Sequence, residues 1–191
     1  APDAQLYASA IELADAQVLE DQVARLLDSP AHLARVRRFV SEFWLYRRAR
    51  NMPRDYTVEE VIGPDVEGAE AARYRPERLV EDTDALVAHL VETRLQRRFI
   101  EAQLLTDATF AQVDTAFFYS AQSEADDPEL VQATTGQRLG MMMQPAWLVA
   151  MSEPDHNSPI MRGLFVQESL LCGEVPDVPI EWVPPLEISL D

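Results

Sequence analysis

The residues best suited to chemistry in this sequence lie in one short polar stretch near its C-terminal end. Glu153, Asp155 and His156 fall within four positions, and carboxylate and imidazole groups are ligands that metal ions accept. A solvated polar loop contains the same residue types. We therefore keep two interpretations of this stretch, a metal site and an ordinary surface loop.

The common catalytic motifs are missing from the sequence. It contains no G-x-S-x-G, no H-E-x-x-H, no P-loop and no G-x-G-x-x-G. It also has no C-x-x-C-H, so we expect no covalently attached haem and no other cofactor in this chain. No residue is assigned a catalytic role. The single cysteine, Cys172, cannot form a disulfide within the chain.

The chain is strongly acidic. Its formal charge is −17 over 191 residues, and all 16 basic residues are arginine. Such a charge repels the phosphates of nucleic acids, whereas it suits either a protein in a salty or extracellular setting or one with a basic partner. No stretch approaches the roughly 20 apolar residues that a membrane span needs, so we expect no transmembrane segment.

The positions of apolar residues predict two amphipathic helices at the N-terminal end. Asp15 is placed to cap the first helix, whose apolar face carries Leu19, Val23, Leu26 and Leu27. Ser29-Pro30 ends it and begins the second helix, since proline suits the first helical position. The stripe that we expect the second helix to bury is Leu33, Val36, Val40, Phe43 and Trp44.

Further helices are predicted after residue 76. The apolar spacing indicates helix over 77–107, a short helix over 108–120 and a buried helix that begins near Pro145. Leu130 to Thr134 is interpreted as a short strand. In the last helix we expect Ser158 at the N-cap, Pro159 at the first position and Gly173 just beyond the C-terminal end.

These elements predict an all-α fold, an irregular bundle of about six or seven helices. We divide the chain into an N-terminal helical segment (1–50), a long loop (51–76), a central helical domain (77–173) and an extended tail (174–191). The tail is rich in proline, which favours an extended polyproline-like conformation.

Three stretches resemble a known family. They are LLTDATFAQVDTAFFY (104–119), RLGMMMQPAWL (138–148) and SEPDHNSPIMRGLFVQESLLCGEVPDVP (152–179). The opening, APDAQLYASAIELADAQVLEDQVARLLDSP (1–30), resembles the same family, so the resemblance covers nearly the whole chain. They are similar to the large secreted cytochrome-c-associated proteins of planctomycetes and myxobacteria, which consist of serial domains of unknown function. In those proteins a C-x-x-C-H segment usually follows the proline-rich exit.

The most specific part of this resemblance is a set of structural or interaction residues: Ser158, Pro159, Arg162, Gly163 and Cys172. The chain departs from the family at Glu153-Pro154, where the family has His-Pro. Any role of that histidine is therefore not carried over.

The resemblance implies a periplasmic or extracellular protein with haem c on a neighbouring segment or chain. It also implies that Cys172 pairs with a cysteine elsewhere, although a free thiol at a helix end remains an equal alternative. The implied partner is a protein, either a cytochrome or the remaining segments of the same precursor.

We therefore expect a non-catalytic scaffold or interaction module of an exported protein or complex associated with c-type cytochromes. One alternative is a fragment of an extracellular hydrolase, with a concave site at Glu153, Asp155, His156 and Arg162. Another is an accessory subunit of a membrane-associated electron-transfer complex, with Trp44 and Trp182 buried against partner chains.

Overall fold

The computed structural model describes residues 3–52, 74–94, 98–131, 139–154 and 156–176 of the chain. This part is mostly helical, with one small two-stranded sheet. The predicted all-α fold class is therefore confirmed. No helix within the described ranges is both long enough and apolar enough to span a bilayer.

The described residues form seven α-helices. They are α1 (Ala4–Ala8), α2 (Ala16–Leu27), α3 (Pro30–Trp44), α4 (Pro76–Arg94), α5 (Phe99–Leu105), α6 (Pro145–Ala150) and α7 (Pro159–Leu164). A π-helical turn, Phe165–Leu170, continues α7. Short 3-10 helices lie at Glu12–Ala14, Tyr46–Asn51, Ala116–Tyr119 and Met141–Met143, and the strands are β1 (Thr109–Ala111) and β2 (Glu129–Val131).

Two predicted helix caps are confirmed. The Asp15 side chain accepts a hydrogen bond from the Gln17 amide at 2.8 Å and begins α2. Ser29 accepts from the His32 amide at 3.2 Å and begins α3, with Pro30 at its first position. Each cap satisfies an amide at a helix N-terminus that would otherwise have no acceptor.

The single helix predicted over 77–107 is two helices. α4 ends at Arg94, and α5 begins after Arg98, which has a left-handed backbone (φ 56°). A left-handed residue cannot continue an α-helix, so the chain changes direction there. The long loop predicted over 51–76 and the extended tail fall largely on 53–73 and 177–191, outside the described residues.

The core forms around α4, which packs against α3, the Tyr46–Asn51 turn, β1 and α6. The leucines expected on its apolar face, Leu79, Leu86 and Leu90, are buried. Because α4 is amphipathic and central, the elements before and after it along the chain share one hydrophobic core.

Three aromatic rings join distant parts of the chain in this core. Trp44 ends α3, Trp147 lies in α6 and Phe165 follows α7. The Trp44 ring centroid is 6.3 Å from that of Trp147 and 5.5 Å from that of Phe165, while Trp147 and Phe165 are 5.6 Å apart. The Trp44 indole also donates a buried 2.7 Å hydrogen bond to Gln103.

The prediction of a helix over 108–120 is wrong. Strand β1 pairs antiparallel with β2, with Phe110 opposite Leu130, and a 3-10 turn follows at Ala116–Tyr119. Thr109 and Phe110 favour extended backbone, and pairing with β2 outweighs the helical spacing. The strand predicted from Leu130 is confirmed for Leu130 and Val131, and its remainder lies outside the described residues.

The apolar face of α2 is not buried as its amphipathic pattern indicates. The helix exists, yet α1 and α2 contain no buried residue. Leu19, Val23 and Leu27 are each about half exposed (47%, 46% and 50%). The pattern predicted the helix correctly, but it did not decide which of its sides would face the rest of the chain.

Gly140 is a glycine that the fold requires. Its φ is +68°, and a Cβ atom placed there would lie 2.2 Å from the Leu104 carbonyl oxygen. Its amide donates to the Thr106 carbonyl at 2.8 Å, which fastens this turn to the end of α5. A side chain would therefore clash with backbone that cannot easily move.

We predict that Gly140→Ala lowers the free energy of unfolding by about 2–4 kcal/mol, because it adds both backbone strain and a steric clash. The matched control is Gly163→Ala, since a Cβ atom at Gly163 meets no atom within 4 Å. Helix propensity predicts that this control stabilises the protein by about 0.5–1 kcal/mol. Urea denaturation of both variants tests the pair, and equal effects would contradict the assignment.

Candidate functional site

Arg162 organises the loop that the sequence singled out. From α7 its guanidinium donates to the Asn157 side-chain oxygen and lies 3.4 Å from the Ser152 hydroxyl. Ser152 in turn donates to the Leu148 carbonyl at 2.6 Å, at the end of α6. Burial lowers the pKa of the Arg162 guanidinium. The arginine thus fastens both ends of the loop to the two helices that flank it.

The acid–histidine cluster is a surface turn in the residues that are described. The Glu153 amide donates to the His156 carbonyl at 3.0 Å, and their side chains approach to 3.6 Å. Both side chains are more than half exposed (56% and 58%). Asp155 lies outside the described residues, so the predicted trio is not tested.

The described part of the chain contains no other candidate metal site. Within those ranges no group of three His, Cys, Asp or Glu side chains lies close enough to hold a metal ion. Glu153 and His156 by themselves provide two ligands, fewer than a closed structural zinc site requires. What remains here is an exposed turn held by a partly buried arginine.

Ser158, Pro159 and Gly163 have different surroundings. Ser158 is the buried N-cap of α7, but its side chain makes no capping hydrogen bond. Pro159 occupies the first helical position as predicted. Gly163 is exposed, with open space where a side chain would be. The helix start is therefore fixed by proline geometry rather than by a side-chain cap.

The end of this helix corrects the prediction for Gly173. The left-handed residue is Cys172 (φ 52°), not the glycine after it. The last turn is π-helical, and the Gly173 amide donates to the Gln167 carbonyl at 2.8 Å, six residues back. This wider turn shifts the cap by one residue. A Cβ atom at Gly173 would lie 2.1 Å from the side-chain amide of Gln167, the far end of a flexible side chain that can move aside.

Cys172 carries an exposed free thiol. An exposed cysteine at the end of a helix is accessible to a cysteine of another segment or chain, as the resemblance implies. The intermolecular disulfide stays a prediction, because the partner cysteine is not part of this chain.

Asp82, a buried carboxyl group whose pKa the fold shifts strongly, was missed by the sequence analysis. It is fully buried on α4, between that helix and the segment that follows β1. One carboxylate oxygen accepts from the side-chain amide (Nε2) of Gln112 at 2.9 Å, and the other accepts from the Thr115 hydroxyl at 2.6 Å. A signal was present, because Asp82 lies three residues after Leu79 and four before Leu86, on the apolar face of α4.

Burial raises the pKa of Asp82 to about 6, with a smaller rise from the neighbouring Asp114 carboxylate. The hydrogen bonds from Thr115 and Gln112 act in the opposite direction. Arg78 pairs with Asp114 at 3.0 Å and so does not pair with Asp82. Asp82 can therefore hold the segment after β1 against α4, and it carries a proton under mildly acidic conditions.

We predict a pH-dependent stability that comes from Asp82. The pKa of Asp82 in the folded protein is raised from 3.8. Its contribution to the free energy of unfolding is therefore fully present below about pH 4 and is lost as pH rises through about 6. The size is on the order of 3 kcal/mol. Relative to wild type, Asp82→Asn should therefore gain stability as pH increases over this window.

Chemical denaturation across this pH range measures the free energy of unfolding of the variant and of wild type. The contributions of the other titrating groups cancel in the difference between the two. The control is Asp107→Asn, which alters an exposed aspartate. A difference between Asp82→Asn and wild type that stays constant over the range would contradict the assignment.

Arg162→Ala should destabilise the protein by about 1–3 kcal/mol, because Ser152 and Asn157 lose a charged donor. Arg162→Lys restores the charge but not the planar fork, so it should recover only part of the loss. Thermal melting of both variants is the measurement. Unchanged melting of Arg162→Ala would show that the loop does not depend on this side chain.

Two family models match the chain in series. The PSD4 model, described as a protein of unknown function (DUF1592), matches residues 1–121. The PSCyt3 model, also described as a protein of unknown function (DUF1588), matches residues 138–190. No curated protein and no solved structure matches the chain.

The order of the two matches agrees with the serial domains of unknown function that the resemblance implies. The PSD4 match contains Trp44, Gln103 and Asp82, and the PSCyt3 match contains Trp147 and Arg162. The PSD4 match alone covers more than half of the 191 residues. The chain belongs to the PSD4 (DUF1592) family of proteins of unknown function, with a PSCyt3 (DUF1588) match following in series.

Proposed function

We propose that the chain is a non-catalytic scaffold or interaction module of an exported protein or complex that is associated with c-type cytochromes. The proposal rests on the contacts that the described polar side chains make. Arg162 and Asp82 hold segments of the chain together, and Glu153 and His156 lie exposed on a turn. Such side chains support a folded platform rather than a reaction centre.

The surface charge supports a basic partner. A formal charge of −17 attracts positively charged proteins and speeds their encounter, most strongly at low ionic strength. Under this proposal haem c is held by a neighbouring segment or chain, and the module works in the periplasm or outside the cell. The partner is a basic c-type cytochrome or another segment of the same precursor.

The two alternatives have less support. A hydrolase site needs its acids to converge in a concave, partly desolvated place, whereas Glu153 and His156 are more than half exposed. An accessory subunit held by its tryptophans would expose Trp44 for a partner, yet Trp44 is 1% exposed within this chain. Trp182, the other tryptophan of that alternative, lies outside the described residues.

Titration of the purified chain with a basic c-type cytochrome tests the proposal. We expect saturable binding by calorimetry at low salt, weakened severalfold at about 0.15 M salt because mobile ions screen the charges. An acidic c-type cytochrome is the matched control and should not bind. Absence of binding at low salt, or equal affinity for both cytochromes, would contradict the proposal.

An absorption spectrum and reduced and unreduced intact masses of the native polypeptide provide an independent test. A haem band, or a second polypeptide released by reduction of Cys172, is expected if the chain works as one segment of a redox protein. A mass near 21.6 kDa without a haem band would contradict covalent association and leave cytochrome binding to the titration.

A further inference from the structure

The helices α1 and α2 form a surface that is both apolar and acidic, which we call the α1–α2 face. It consists of residues 3–28. No residue of either helix is buried. The large apolar side chains that it exposes are Tyr7, Ile11, Leu19, Val23 and Leu27.

Three of these side chains form a stripe. Leu19, Val23 and Leu27 are spaced four residues apart, so they lie along one side of α2. The side of α2 that is partly covered holds Val18, Gln22, Arg25 and Leu26. The helix therefore leaves three of its five large aliphatic side chains exposed to solvent, although burial of apolar surface is favourable. This arrangement is expected if the stripe is covered by a partner.

The charge of the α1–α2 face selects the partner. It carries six acidic residues and one arginine, a net charge of −5. Arg25 is already bound, since its guanidinium donates to both oxygens of Asp3 at 2.7 and 3.0 Å. This pairing also lowers the pKa of Asp3 to about 2. The acids around the apolar stripe, Glu12, Asp15, Glu20, Asp21 and Asp28, keep their negative charge available for a partner.

A second copy of the chain fits this surface poorly. A symmetric dimer would place one negative face against another. Two of the three arginines of α3 are already paired, Arg37 with Glu92 and Arg38 with Glu42, so this helix offers little free basic surface. Arg47, which follows α3, pairs with Asp84. Anionic membranes and nucleic acids are repelled by the same charge.

We propose that the α1–α2 face is a docking surface for a basic protein whose contact patch has an apolar centre and a rim of lysine or arginine. This inference rests on the proposed function and locates its binding surface. The partner would cover the Leu19, Val23 and Leu27 stripe, and its cations would lie against Glu20 and Asp21. Apolar centres with charged rims are usual in transient protein complexes.

The inference can be tested with two double variants of the full chain. Glu20→Gln/Asp21→Asn removes two charges from the face, and Leu19→Ser/Val23→Ser removes part of the stripe. The matched control, Glu124→Gln/Asp127→Asn, removes the same charge from exposed residues before β2. Because every changed residue is exposed, all variants should fold, which circular dichroism verifies.

The probes are a basic c-type cytochrome and a basic protein without haem, hen lysozyme. We expect the charge variant to weaken cytochrome binding about three- to tenfold, and the apolar variant to weaken it about tenfold. The control should bind as wild type does. Wild-type affinity in both face variants would overturn the docking surface while leaving the proposed function intact.

The converse result separates the two proposals as well. If only lysozyme binds wild type, and the face variants weaken that binding, the docking surface stands and the cytochrome association fails. If neither basic protein binds wild type at low salt, both proposals are overturned. Equal weakening by the control would show that net charge, rather than this face, governs binding, and it would overturn the docking surface alone.

Discussion

The packing of Trp44, Trp147 and Phe165 is the interaction on which the rest of the structure depends. These rings come from the end of α3, from α6 and from the turn after α7. Their centroids lie 5.5 to 6.3 Å apart. Large aromatic side chains bury much apolar surface, so their contact offsets part of the entropy cost of bringing distant segments together. The indole hydrogen bond from Trp44 to Gln103 adds α5 to the same cluster.

The cluster joins the two family segments. Trp44 and Gln103 lie in the PSD4 match, and Trp147 and Phe165 lie in the PSCyt3 match. Gly140 adds a backbone connection, because its amide donates to Thr106 in the first segment. In this chain the two domains of unknown function share one core, and any function assigned to either must account for the other.

The polar side chains inside the fold attach segments of the chain to one another. Asp82 holds the segment after β1 through Gln112 and Thr115, and Arg162 holds the loop between α6 and α7. A buried carboxylate without a cation is unfavourable when ionised, which is why burial raises its pKa. These internal attachments leave recognition to the exterior, where the α1–α2 face combines apolar side chains with unneutralised acids.

Local signals in the sequence predicted much of the helical framework. Asp15, Ser29-Pro30, Pro145 and Pro159 begin helices where expected, since caps and proline act through their immediate neighbours. The sequence predicted neither strand β1 nor the left-handed Cys172, because strand pairing and the wider π turn depend on residues distant along the chain or on the geometry of the preceding turn.

The candidate sites divide in the same way. Residue types near His156 drew attention to the turn held by Arg162, but only the folded chain brings Asp82 to Gln112 and Thr115. The amphipathic pattern of α2 determined that a helix forms, and tertiary packing decided that its leucine and valine stripe faces solvent. The sequence by itself thus determined the class of fold, the helix starts marked by caps and proline, and the acidic charge, because these follow from local chemistry and composition. Which faces are buried, and which polar groups meet, was decided by tertiary structure, because burial depends on contacts between segments far apart in the chain.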